Sequence, residues 1–257
     1  MEITWYGTAA LLMSSGGYHL LFDPFFPLNR ELDCCREEDF RQAGAIMLTH
    51  GHFDHAADLA KITAAHPVPV YCSETIKKAL LDDGVPARLL NTVVPGEELA
   101  LGPFQVKILR GRHIKFNLPL ILQTLFLNPR LATHFGNLRK IAGNMRRYPA
   151  GQVLIYQIRV EGKTIMHMGS LSIDPVEDYP RRAEVLTFPY QGRSDLDRYS
   201  LPLLRKLQPA SILLHHFDDT FPPISRPINL KPLQEKISRF FPEIKIIVPQ
   251  YRQPIAL

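Results

Sequence analysis

The sequence predicts a layered α/β fold, and three observations carry that prediction. Apolar runs of strand length alternate with stretches of helical periodicity, as at 45–49 followed by 56–65 and at 68–72 followed by 74–82. The 257 residues, 46% hydrophobic and 21% charged, suffice to bury one sizeable core, and 1–257 reads as a single domain. The densest group of reactive side chains, His50-Gly51-His52-Phe53-Asp54-His55, directly follows one apolar run. Open α/β sheets place their chemistry at such carboxyl ends of strands.

Residues 2–13 and 18–22 read as three short strands, with turns at Gly7-Thr8 and over 14–17. Asp23 follows the third and, standing before Pro24, reads as a turn former. The charged stretch 25–44 reads as a loop and a solvated helix leading to the strand at 45–49. A helix over 56–65 gathers its alanines, Leu59 and Ile62 on one face. The strand at 68–72 leads to Ser73, an expected N-cap, and to a helix over 74–82 closed by Gly84. Strands follow near 91–94, 98–101 and 104–109. The passage 114–150 reads as a lid-like insertion: 118–127 is almost wholly apolar, too short to span a bilayer, and expected to pack as buried helix. A hairpin about Glu161-Gly162 pairs 152–160 with 163–168. Strands at 183–188 and 211–214, a proline-rich loop from Phe221, a helix over 231–240 and a strand over 244–248 complete the chain.

The bulk properties exclude some classes. The amino terminus, Met1-Glu2-Ile3-Thr4-Trp5-Tyr6, lacks a basic region followed by a long apolar stretch, so no signal peptide is expected. Three cysteines, Cys34, Cys35 and Cys72, are odd in number, and two are adjacent. They fit plain thiols in a reducing cytoplasm better than a disulfide framework. The net charge of +5 hides an asymmetry: residues 99–160 contain ten Lys or Arg and no Asp or Glu. Such a field favours anionic partners, whether small phosphate esters, nucleic acid or lipid headgroups, although a solvated basic face accounts for it too. Arg146 and Arg147 are the candidate anion binders within it. Arg193, in the polar loop 189–195, is a third, with a plain surface loop the equal alternative.

The chemistry centres on the six-residue cluster. His50 and His52 alternate by two and can point the same way on extended chain, while Asp54 and His55 lie past the turn and address a second point. Imidazole nitrogens with one carboxylate suit zinc, with manganese or iron as alternatives.

This H-x-H-x-D-H cluster, together with the strands of 1–13 and the Asp23-Pro24 turn, resembles the metallo-β-lactamase-like hydrolase superfamily. Within it, the closest likeness is to the small branch of ascorbate-6-phosphate lactonase-like proteins. The resemblance implies a four-layer αββα fold, two mixed sheets between outer helices. It implies His50, His52 and His113 as ligands of one metal, and Asp54, His55 and a histidine at 215–216, His216 before His215, as ligands of another. It also makes Asp23 a support of the metal loop. One departure stands out: where the superfamily carries Gly-Asp, with the aspartate bridging two metals, this chain has Gly169-Ser170. That puts full occupancy by two ions in question, with Asp174 as the replacement to consider, although Pro175 makes it an ordinary turn residue equally well.

These readings converge on a metal-dependent hydrolase, one or two zinc ions supplying hydroxide, Asp54 orienting it, and a small anionic ester, phosphodiester or lactone as substrate. The alternatives are a nucleic-acid processing or binding protein using the basic stretch, and a catalytically silent metal-binding protein. Peripheral lipid contact is a further expectation from the apolar and basic 114–150 passage.

Overall fold

The computed structural model describes all 257 residues. Six strands come first in the chain: β1 (Glu2–Trp5), β2 (Leu11–Ser15), β3 (Tyr18–Phe22), β4 (Ala45–Met47), β5 (Val70–Cys72) and β6 (Leu90–Thr92). Seven more build a second sheet: β7 (Glu98–Leu101), β8 (Phe104–Arg110), β9 (Leu154–Val160), β10 (Lys163–Met168), β11 (Val185–Pro189), β12 (Ser211–His215) and β13 (Lys245–Ile247). The last strand, β14 (Pro254–Ala256), returns to pair antiparallel with β1, so the first sheet runs β14-β1-β2-β3-β4-β5-β6 and the second β13-β12-β11-β10-β9-β8-β7. Both sheets are mixed: antiparallel hairpins on one side give way to parallel strands on the other.

Period-two alternation explains how the layers assemble. On β2 and β3, Leu11, Met13, Leu20 and Phe22 enter a cluster shared with Phe104, Ile108, Leu154 and Tyr156 of the second sheet. Their neighbours Leu12 and Leu21 point the other way, to Phe53, Leu59, Ile62, Ile76 and Leu80. A third cluster joins the outer face of the second sheet, through Ile155, Met166 and Leu186, to Leu204, Leu233 and Ile237. Three apolar interfaces separate four layers, the αββα arrangement that the resemblance implies.

The helices are α1 (Glu37–Phe40), α2 (Phe53–Ala56), α3 (Leu59–Ala65), α4 (Glu74–Asp82), α5 (Leu118–Phe126), α6 (Arg130–Thr133), α7 (Phe135–Arg147), α8 (Leu196–Tyr199), α9 (Leu201–Leu207) and α10 (Lys231–Phe240). Several differ from expectation. The solvated helix expected within 25–44 is a single turn, α1. The helix expected at 56–65 begins at Phe53 and breaks before Leu59, so Asp54 and His55 lie in its first turn. Ser73 occupies the N-cap of α4 but makes no capping bond, its hydroxyl meeting that of Thr75 at 2.9 Å. The buried packing expected for 118–127 is overturned, since α5 has no buried residue. All three cysteines are free, and no helix is long and apolar enough to cross a membrane.

Candidate metal centre

β3 and β4 run parallel, and their carboxyl ends set Asp23 beside Thr49 and His50. Asp23 is fully buried in a left-handed conformation, φ +44°. Its Oδ1 accepts the Thr49 amide at 2.7 Å, and its Oδ2 accepts the Thr49 hydroxyl at 2.6 Å. The same Oδ2 lies 2.9 Å from His55 Nδ1. An ionised carboxylate only accepts, so the Thr49 hydroxyl donates to it and turns a lone pair to His50 Nδ1, 3.0 Å away. His50 and His55 are thereby both held with the proton on Nδ1 and the Nε2 lone pair free. Asp23 serves both as the turn residue before Pro24 and as the support of this loop. Two glycines allow the packing: a Cβ on Gly51 would stand 2.2 Å from the Pro149 carbonyl, and one on Gly169 would stand 1.9 Å from Thr49 Oγ1.

His52 is extended, with φ −60° and ψ 151°, and occupies the N-cap position of α2 without a capping bond, and the first turn of that helix redirects Asp54 and His55. Its Nδ1 lies 3.2 Å from His50 Nε2. His113, just past β8, donates from Nδ1 to the Ile114 carbonyl at 2.7 Å, which leaves its Nε2 lone pair free. His216 follows β12 with φ +59° and donates its amide to the Thr8 carbonyl at 2.8 Å. Its Nδ1 donates to Gln191 Oε1 at 3.0 Å, and its Nε2 faces Asp54 Oδ2 at 3.2 Å. The structure therefore gathers the expected residues in two groups, His50, His52 and His113 in one and Asp54, His55 and His216 in the other. Within each group the donor atoms lie within 4.8 Å of one another.

Burial, and then the neighbouring His55, hold His50 well below the ordinary imidazole range. Burial brings His52 down to about 4 against the pull of Asp54, and it lowers His113 as well. These rings are neutral near pH 7, so protons compete little for their lone pairs. Burial would raise Asp54, but His55 and the bond from His216 outweigh it and hold the carboxyl well below its usual value. For His55 burial works downward, and Asp23 and Asp54 together raise it. Four of the five rings have one nitrogen engaged by an acceptor or hydroxyl and the other turned inward, the arrangement by which outer partners orient metal-binding imidazoles. Three imidazoles, and two imidazoles with a carboxylate, are donor sets that fit a borderline divalent metal.

Other expected residues lie elsewhere. His215 is fully buried on the opposite side of its strand and faces the Met168 carbonyl at 3.1 Å, outside both groups. Asp218 and Asp219, which follow His216 by two and three residues, do not orient it: they bind Thr8 and Tyr251, and Arg130 and Ser225, respectively. Gln191 does that work instead. Thr49 and Gln191 carried no signal in the sequence beyond their places at strand ends.

The two groups form the floor of a cavity of about 730 Å³. Its walls are largely apolar: Phe116, Leu120, Ile121 and Leu125 from the α5 region, Ile141 and Met145 from α7, Leu196 at the start of α8, and Phe221 and Ile228 from later loops. None of the ten basic residues of 99–160 lines it. Arg146 and Arg147 are corrected as anion binders: both lie outside the cavity, and Arg147 pairs with Asp83 at the end of α4. Arg193 does line the cavity, but Asp195 engages it through two bonds of 2.7 and 2.9 Å, so its charge is already matched. Arg226, missed in the sequence, also lines the cavity and forms no salt bridge. It donates to Gln123 Oε1 of α5 at 2.7 Å.

Residues 2–216 match the model of the β-lactamase superfamily domain. The chain belongs to the β-lactamase superfamily. A UPF0173 metal-dependent hydrolase of Xanthobacter autotrophicus is 33% identical over 120 residues, 44% of this chain and 48% of that protein. The chain thus aligns with about half the length of this curated relative. Among solved structures, Igni18, a metallo hydrolase of Ignicoccus hospitalis, is similar with a TM-score of 0.64 at 17% identity, covering 99% of this chain and 97% of that one. The metallo-β-lactamase fold protein YhfI of Bacillus subtilis gives 0.62 at 15%, covering 99% of each.

Against the superfamily pattern, the Ser170 position has taken a structural task. Its hydroxyl accepts the Ile114 amide at 2.9 Å and so anchors the chain just past His113. Asp174 is not a replacement ligand, because its carboxylate is held by Arg112 at 2.9 Å and by the Val176 amide at 3.0 Å. Asp54 is the single carboxylate in the two superfamily donor groups.

Proposed function

We propose that the chain is a zinc-dependent hydrolase of an ester, lactone or phosphodiester whose non-reacting part is apolar. One observation carries the reading: two donor groups, all histidine but for Asp54, on the floor of a mostly apolar cavity. His50, His52 and His113 would hold one ion and Asp54, His55 and His216 the other, with zinc the best match to this donor set and manganese or iron the alternatives. When bound, the metal lowers the pKa of water toward neutrality and polarises the scissile carbonyl or phosphoryl oxygen. Asp54, kept ionised by its histidine neighbours, would accept a hydrogen bond from the attacking water and orient it. Asp23, Thr49 and Gln191 fix the ring tautomers, and the walls hold the apolar body of the substrate while excluding bulk water. A negative charge on the substrate would be met by Arg226 rather than by the basic stretch. Support comes also from the names of the metal-dependent hydrolases among its relatives. The free thiols suit a cytoplasmic setting.

The test combines metal analysis with initial rates on p-nitrophenyl esters of rising acyl length, aliphatic lactones and bis-p-nitrophenyl phosphate. Turnover that increases with acyl length and disappears with the metal in His52→Ala is the expected result. Undiminished metal and turnover in His52→Ala would refute the site. Tight metal with no turnover on any member would refute the hydrolase and leave a metal-binding protein.

A further inference from the structure

The segment between β8 and β9 carries a surface that the proposed chemistry does not use. α5 is apolar around nearly its whole circumference, interrupted only by Gln123 and Thr124. One side contributes Leu120, Ile121, Gln123, Thr124 and Leu125 to the cavity. Leu118 and Leu122, which do not line it, share another face at helical spacing and are 65% and 45% exposed. Phe126 and Leu127 extend the patch, each 75% exposed, and Phe135 at the start of α7 is 73% exposed. A helix apolar all round normally lies within a core or an apolar phase, and this one has no buried residue. Contiguous exposed apolar surface of this kind marks an interaction site.

Charge decides between occupants. Residues 114–150 contain no Asp or Glu, and Lys115, Arg139, Lys140 and Arg146 are exposed there without a salt bridge. Two copies of the segment packed face to face would bring these cations together. An anionic bilayer accepts both features, taking apolar side chains below the headgroups and basic ones among them. At nine residues α5 is too short to cross such a bilayer and suits its interface.

We propose that α5 and its flanks dock this protein peripherally on an anionic lipid bilayer. The surface shares no residue with the two donor groups, so it stands or falls apart from the hydrolase reading. The experiment is co-sedimentation of the full chain with phosphatidylcholine vesicles, with and without phosphatidylglycerol. Retention is expected on the mixed vesicles alone, weakening as salt screens the headgroups. Leu122→Asp with Phe126→Asp, and separately Arg139→Glu with Arg146→Glu, should each reduce it by about tenfold or more. Circular dichroism should match the parent in both variants, and His52→Ala should bind vesicles as the parent does. Equal retention on both vesicle types, or on neither, would overturn the proposal. So would a vesicle-free dimer in sedimentation equilibrium that Leu122→Asp with Phe126→Asp dissociates.

Discussion

Asp23→Asn is the most informative single change, because it alters one atom in a buried relay that reaches both donor groups. Asp23 accepts from the Thr49 amide, the Thr49 hydroxyl and His55 Nδ1. An asparagine keeps the shape, but its NH2 must take the place of one oxygen, and each oxygen already faces a donor. Turned toward Thr49 N–H, it orphans a buried backbone donor. Turned toward Oδ2, it meets His55 Nδ1–H and favours the wrong tautomer. Either way one buried charge-assisted hydrogen bond is lost, worth about 1.5–3 kcal/mol, and a donor left unpaired adds about 1–3 kcal/mol. The metal-stripped variant should therefore unfold about 2.5–6 kcal/mol more easily in urea. Loss of a carboxylate behind a metal-binding imidazole typically weakens metal affinity by about 10–100-fold. The His55 group should show that loss directly, and the His50 group a smaller one through Thr49. Zinc titration calorimetry on stripped parent and variant measures both. Parental affinity at both sites, with only stability lost, would reduce Asp23 to a structural residue and refute the relay.

Ser170→Asp should raise metal content from one tight ion toward two. Asp54 is the single carboxylate in the two donor groups, and close cations need an anion between them; two equally tight ions in the parent, by mass spectrometry of the purified protein, would contradict this. His167 is fully buried, and burial brings it from 6.5 down to about 4, eased by Asp23. The unfolded chain therefore takes the proton first as pH falls. Stability is full above about pH 6.5 and falls by about 3 kcal/mol toward pH 4 on this account. Urea midpoints of His167→Gln across that window should show a shallower acid limb than the parent, and an unchanged limb would exclude His167 as its source. Arg146→Glu with Arg147→Glu should leave ester turnover within about twofold while costing about 1 kcal/mol, since Arg147 is half exposed and loses its ion pair with the largely buried Asp83; a selective loss for anionic substrates would restore the two arginines to the site.

Much of the fold was legible because alternation and helical spacing are local. β2 and β3 follow their patterns closely, and His50 to His55 announce themselves by density of donors. β14 escaped notice because 254–256 is short, begins with Pro254 and acquires strand character only by pairing with β1. α5 was misread for a related reason: an apolar run states what a helix avoids, and nothing in it says whether the rest of the chain covers it. The arginines misled because charge along the sequence does not say which way a helix faces. Thr49 and Gln191 act through hydrogen bonds between strand ends far apart in sequence, so neither has a spacing to read.

Six side chains holding metal are the centre of the proposed function, and anomalous scattering at the zinc edge from crystals of the zinc-loaded protein tests that most directly. The predicted result is a strong peak bounded by His50 Nε2, His52 Nδ1 and His113 Nε2, with a weaker one among Asp54, His55 and His216. A map with no peak between the three histidines, or with its strongest peak at Cys34 and Cys35, would contradict it.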